Sequence, residues 1–246
     1  MRYLILSDIH ANWEALEAVV AQAEGAYDRI ACCGDVVGYG ADPDRVTEWV
    51  RAHVERIVRG NHDKACAGLE DLEWFNPVAR ASAIWTQAVT RPENIAYLRD
   101  LDRGPERVNG FQILHGSPLD EDEYVINERD VAEVAPYLDT DVSFFGHTHL
   151  QGAFLCHRNG VKRLPGMTAG QSSSDLALDP DVGYLINPGS VGQPRDGDPR
   201  AAYAVYDDAA GVAQFRRAPY DVETAQNKIV KAGLPELLAV RLALGS

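Results

Sequence analysis

Short apolar runs, each the length of one β-strand, alternate along this chain with segments whose apolar residues recur every three or four positions. A buried strand followed by an amphipathic helix, repeated, can cover both apolar surfaces only in layers, so the pattern predicts an α/β layered fold. Residues 2–6 read as a buried strand, and Asn12 then caps a helix carrying Ala15, Leu16, Val19 and Val20 on one face. Residues 29–33 make a second strand, 34–40 a Gly-rich turn, and Val46, Trp49, Val50 and Val54 the stripe of a helix beside which His53 lies as a surface residue. A short strand over 56–59 and helices over 77–88 and 93–101, built around Trp85 and Leu98, follow, with Trp74 and Phe75 read as core. Strand signals recur at 111–114, 142–145, 153–156, 184–186, 201–206 and 212–216. The Gly/Ser stretch 166–174 reads as loop, and 222–244 as two short helices broken at Gly233-Leu234-Pro235. With no internal repeat and no long linker, 1–246 is expected to form a single domain.

Composition narrows the classes. At 46% hydrophobic and 24% charged the chain is an ordinary globular protein, and its longest apolar runs fall well short of the roughly 18 residues of a membrane span. Met1-Arg2 leads straight into a strand, so neither signal peptide nor membrane anchor is expected, and the protein is read as cytoplasmic. A net charge of −14 argues against an extended grip on nucleic acid, which depends on Lys and Arg. The four cysteines have no CxxC spacing and read as buried thiols in a reducing compartment; the adjacent Cys32 and Cys33 should face opposite ways from a strand.

Five of the seven histidines lie in short polar segments directly after strand-like runs. The segments are Asp8-Ile9-His10, Gly34-Asp35, Gly60-Asn61-His62-Asp63, His115-Gly116 and Gly146-His147-Thr148-His149. Loops at neighbouring strand ends converge in space, so these residues are candidates for one site. In extended chain Asp8 and His10 would point the same way, as would His147 and His149, while the glycines let the backbone turn sharply. Carboxylate, imidazole and amide donors without thiolate suit Mn²⁺, Fe²⁺ or Zn²⁺, or Ni²⁺, with open water positions.

Together these segments resemble the calcineurin-like metallophosphoesterase family, and Asn187-Pro188-Gly189-Ser190-Val191-Gly192 is similar to a turn in its small bacterial phosphodiesterase branch. The resemblance implies a four-layer sandwich of two mixed β-sheets flanked by α-helices. It also implies two divalent metal ions, manganese first among the candidates. Asp8, His10, Asp35 and His149 would hold one ion, and Asp35, Asn61, His115 and His147 the other, with Asp35 bridging. His62 would be the general acid of an in-line attack by metal-bridging hydroxide. The Asp and Arg that follow the Gly-Asp segment in the Ser/Thr protein phosphatases are replaced by Gly38 and Tyr39, which points to phosphodiesters, including cyclic or short nucleotides, over monoesters. Arg195 is the preferred substrate contact beside Asn61 and His62. Arg59 is a lesser candidate, read chiefly as a surface charge, and Ser117-Pro118, the acidic run 120–123 and Tyr124 are loop residues that read as well as solvated turn positions as they do as pocket-shaping ones. His157 reads as surface. A phosphomonoesterase or protein phosphatase on the same metals, and a catalytically silent scaffold, are the competing readings.

Overall fold

The computed structural model describes residues 1–164, 166–167 and 170–246. Its first sheet is built from β1 (Arg2–Leu6), β2 (Arg29–Cys32), β3 (Arg56–Ile57), β9 (Ser173–Ala177), β11 (Ala201–Asp207) and β12 (Val212–Ala218), in the order β3-β2-β1-β11-β12-β9. The second comprises β4 (Glu106–Val108), β5 (Phe111–Ile113), β6 (Val142–Phe144), β7 (Gly152–His157), β8 (Gly160–Leu164) and β10 (Gly183–Asn187), in the order β4-β5-β6-β10-β7-β8. Both are mixed: β1, β2 and β3 run parallel, as do β5, β6 and β10, and antiparallel partners extend each group.

Side-chain alternation explains why β1 is apolar throughout. Tyr3 and Ile5 pack between the sheets with Phe111, Ile113, Phe144 and Ile186, whereas Leu4 and Leu6 face the opposite way. That outer face is covered by α1 (Trp13–Ala23), α2 (Pro43–His53) and α5 (Pro92–Arg99), with Leu16, Val46, Val50 and Leu98 fully buried. On the far side α6 (Glu128–Val134) covers the second sheet through Val131 and Val134. The result is the four-layer sandwich expected. Cys32 and Cys33 fall in different cores on opposite faces, and all four cysteines are free thiols. The remaining helices are α3 (Asn61–Cys66), α4 (Pro77–Val89), α7 (Val222–Lys231) and α8 (Glu236–Leu244). The last two pack with α4 into a satellite core that reaches Tyr39.

Several elements differ from expectation. The strands β4, β8 and β9 and the helices α3 and α6 were not read from the sequence; β9 occupies the end of the stretch taken as loop, where Ser173 and Ser174 pair with Arg216 and Phe215. Thr168 and Ala169, within that stretch, and the side chain of Trp74 lie outside the described residues. His53 and His157 are exposed, as expected.

A candidate metal centre at the strand ends

Asp8, Asp35 and Asn61 follow β1, β2 and β3, and His115 and the 147–149 segment follow β5 and β6, so the two sheets deliver the expected residues to one place. Their backbones are not extended. Asp8 (φ 52°), His10 (49°), Asp35 (56°), His147 (65°) and His149 (59°) all adopt the left-handed conformation, uncommon for residues with a Cβ. The same-side argument from strand alternation therefore fails, although its outcome for Asp8 and His10 holds. Turns assigned to glycine are made largely by the candidate ligands themselves. Gly60 serves a different need: a Cβ there would sit 2.1 Å from Asp35 Oδ1.

Backbone hydrogen bonds hold these turns. Asp8 and His10 donate to the Gly34 and Asp35 carbonyls at 3.0 Å, and Gly146 donates to His115 at 2.9 Å. The 187–192 turn ties the halves together: Val191 and Gly192 donate to Ser7 and Asp8, while Asn187 Nδ2 donates to the Gly146 carbonyl and Thr148 Oγ1.

Two groups of donor atoms result, Asp8/His10/Asp35/His149 and Asp35/His115/His147, each with its atoms within 4.8 Å of one another. Asn61 Oδ1 joins the second, 3.2 Å from His115 Nε2. Every carboxylate and imidazole of the two groups is buried, and Asn61 is half-buried. His10, His115 and His149 place Nδ1 at 3.0, 2.7 and 2.5 Å from the carbonyls of Val37, Cys33 and Gln193, an arrangement in which Nδ1–H donates and, in the neutral rings of His10 and His149, Nε2 turns a bare lone pair inward. Consequently His10 Nε2 and His149 Nε2 face each other at 3.1 Å, with Asp35 Oδ2 3.6 Å from His10 Nε2. Asp35 Oδ2 and His147 Nε2 are buried without a hydrogen-bond partner. Acceptors so crowded repel unless a cation lies among them, so the donor set fits divalent metal.

Electrostatics agree. Burial lowers His10 and His149 well below the ordinary imidazole range and His147 to about 3, leaving neutral ligands at pH 7. Burial also opposes charge on His115, but the neighbouring Asp35 carboxylate outweighs it and raises the imidazole to about 10. Asp8 is pushed up to about 7 by burial, with Asp35 adding to it. Asp35 itself stays ionised: burial raises it, and the imidazoles of His115 and His62 more than reverse that.

His62 opens α3, and its backbone N–H donates to Asp35 Oδ1 at 2.8 Å. Its ring packs on Tyr39 and His10 with centroids 4.3 and 5.0 Å away, and Nδ1 is buried without a partner. A Cβ on Gly38 would lie 2.6 Å from that nitrogen, so the missing acidic residue leaves no room for a replacement. Burial lowers His62 to about 4, against the near-neutral value expected of it. Arg195 points at the cluster: its guanidinium lies 5.7 Å from the Tyr39 ring centroid, and Nε is buried and unpartnered. Arg59 is neither clamp nor surface charge, since it is 17% exposed and ion-paired at 2.9 Å with Glu121. Ser117 caps its own turn by accepting from Leu119 and Asp120.

One buried residue of the candidate segments was given no role by the sequence reading. Asp63 accepts from Gly60, Val36 and Val37 backbone N–H groups at 3.0, 2.8 and 3.1 Å, tying the Asp35 segment to α3. Its signal was an acidic side chain three residues after the cap, the capping-box spacing.

Residues 1–210 match the family model for the calcineurin-like phosphoesterase superfamily domain. The chain belongs to that superfamily. It is 36% identical over 253 residues to an uncharacterized protein of Methanocaldococcus jannaschii, covering 98% of this chain and 97% of that one. A crystal structure of a metallophosphoesterase from Sphaerobacter thermophilus superposes with TM-score 0.86 at 39% identity, covering 100% of this chain and 99% of the other. A hypothetical protein from Pyrococcus horikoshii shares the fold, with TM-score 0.79 at 19% identity and coverage of 100% and 98%. The superfamily is one of metal-dependent phosphoesterases, and no helix among the described residues of this chain is long and apolar enough to cross a membrane.

Proposed function

We propose that this protein is a dinuclear phosphodiesterase acting on small phosphate esters, in a single domain spanning 1–246. The observation that carries the reading is the Asp35 carboxylate, shared by both donor groups with Oδ2 unpartnered. Asp8, His10, Asp35 and His149 would hold one ion, and Asp35, Asn61, His115 and His147 the other, manganese being the first choice for nitrogen and oxygen donors. When bound, such a pair supplies Lewis-acid polarisation of the phosphoryl oxygens and a water acidified towards neutrality for in-line attack.

The chain's own groups do the rest. His62 is the hydrogen-bond donor to the leaving oxygen; it arrives neutral, and the negative charge of a docked phosphate draws its pKa back upward. Arg195 offsets phosphate charge from the Tyr39 side. The diester preference rests on positions 38 and 39, where glycine and tyrosine provide no bidentate grip for a dianion. Four free thiols fit a cytoplasmic protein.

The test is to strip the metal, reconstitute with Mn²⁺, count bound ions, and compare bis(p-nitrophenyl) phosphate with p-nitrophenyl phosphate. Two ions per chain and faster diester turnover are expected, with both lost in Asp35→Asn. Faster monoester turnover would favour the phosphomonoesterase reading; no turnover at full occupancy would favour a scaffold.

A further inference from the structure

A cleft of about 530 Å³ opens directly from the metal centre, and its walls are unlike those of a polyphosphate site. Asn61, His62 and His147 form its floor, Tyr39, Phe75 and Tyr124 supply rings, and Glu70, Asp71 and Asp122 supply carboxylates. None of these lining residues, all described, is Lys or Arg. The nearby Lys64 is committed to three carboxylates: Glu70 at 2.6 Å, Glu121 at 3.3 Å, and Asp122. A second phosphate entering here would meet these carboxylates, while Arg195 on the Tyr39 side is assigned to the reacting phosphate.

The aromatic wall is held in place. The Tyr124 ring lies 3.9 Å from the His147 ring, centroid to centroid, yet remains 51% exposed, so one side is backed and the other is open. Phe75 meets His62 edge-on at 5.7 Å and, like Tyr124, lines the cleft. The loop carrying Tyr124 is anchored to α3 and its flank by Arg59–Glu121 and Lys64–Asp122, which lowers the cost of ordering it around a ligand.

Resting on the phosphodiesterase reading, we propose that this cleft selects diesters with a single phosphate whose second arm bears a planar, uncharged or amine-bearing ring of nucleobase type. The ring stacks on the open side of Tyr124, and the carboxylates accept from its exocyclic amino groups while repelling further phosphates. Tyr124 is thus a specificity-determining residue.

Two diesters with the same leaving group isolate the effect: thymidine 5′-(p-nitrophenyl) phosphate and methyl p-nitrophenyl phosphate. The Mn²⁺ holoenzyme should favour the nucleoside arm in kcat/KM by about tenfold or more, the scale of one base–aromatic stack. Tyr124→Leu should reduce that ratio by about tenfold, and Tyr124→Phe should keep it. The ratio is insensitive to partial metal loss, which lowers both rates alike. Wild-type enzyme should also prefer the dinucleoside monophosphate ApA over diadenosine tetraphosphate. Turnover of both nitrophenyl diesters with a ratio near one, a ratio unmoved by Tyr124→Leu, or a preference for the tetraphosphate overturns the cleft assignment alone. Failure to cut any diester removes the phosphodiesterase reading and this inference with it.

Discussion

His62 is an imidazole with one nitrogen deliberately bare of company. Where an acidic neighbour would steady it, Gly38 leaves Nδ1 unpartnered and too close for any side chain to fill the gap. The ring is instead oriented by packing against Tyr39 and by its backbone bond to Asp35. If it protonates the leaving group, His62→Ala should keep its metals and lose roughly 10²–10⁴ in kcat on alkyl esters, with a much smaller loss on p-nitrophenyl esters. Equal losses on both, measured alongside metal content, would leave His62 a phosphate contact only. Around it, the candidate ligands Asp8, His10, Asp35, His147 and His149 sit in left-handed backbone at a cost of about 1 kcal/mol or more each, strain of the kind functional sites retain.

At the scale of elements, α3 is the joint of the site. It is six residues long, too short to be stable alone, and is fixed by the carboxylate of its own Asp63, which caps its first turn and reaches Val36 and Val37. Burial, reinforced by Asp35, raises Asp63 to about 7, so its bonds to three backbone donors are made in a strained electrostatic setting. Asp63→Ala should cost on the order of 3 kcal/mol in a denaturant titration, because buried N–H groups lose their acceptor. It should also lower metal affinity more than a core truncation of equal cost does. Asp63→Asn should recover part of both, since one amide oxygen can still accept from Val36 and Val37. A metal affinity no lower than that of the matched core variant would show that Asp63 serves stability alone.

The same scale explains what the sequence could be made to reveal. Long apolar strands and helices with a clear stripe, such as β1, α1 and α7, declare themselves because burial imposes a period. A six-residue α3 and the polar, alternately exposed β9 do not, since their placement is decided by chains far away in sequence. The candidate ligands were visible as residue types at strand ends. Their left-handed backbones, the bonds from Val36 and Val37 to Asp63 and the engagement of Arg59 by Glu121 were not, because each is settled by a tertiary partner.

For the whole molecule, protons and metal compete. Without a cation, His115 keeps its proton up to about 10 and Asp8 holds one up to about 7. Both folded values lie above the unfolded ones. The stability tied to those protons is therefore full below the unfolded values and is lost as pH rises through about 7 for Asp8 and about 10 for His115. Metal should take over as they leave. Loading the stripped protein at pH 7 should release protons, and the rise in Tm on adding Mn²⁺ should grow from pH 6 to pH 9, reaching about 2.7 kcal/mol of stabilisation at a hundredfold excess over Kd. Calorimetry and proton-release measurements at several pH values check this; a gain independent of pH would mean the ions bind elsewhere.

That the donors come from both sheets has a further consequence for how the protein matures. Asp8, Asp35 and Asn61 follow strands of one sheet and His115 and His147 strands of the other, so neither sheet alone carries either candidate donor group. On the proposed reading, ester cleavage requires the two sheets to be docked against each other. Turnover would then double as a report that the sandwich is assembled.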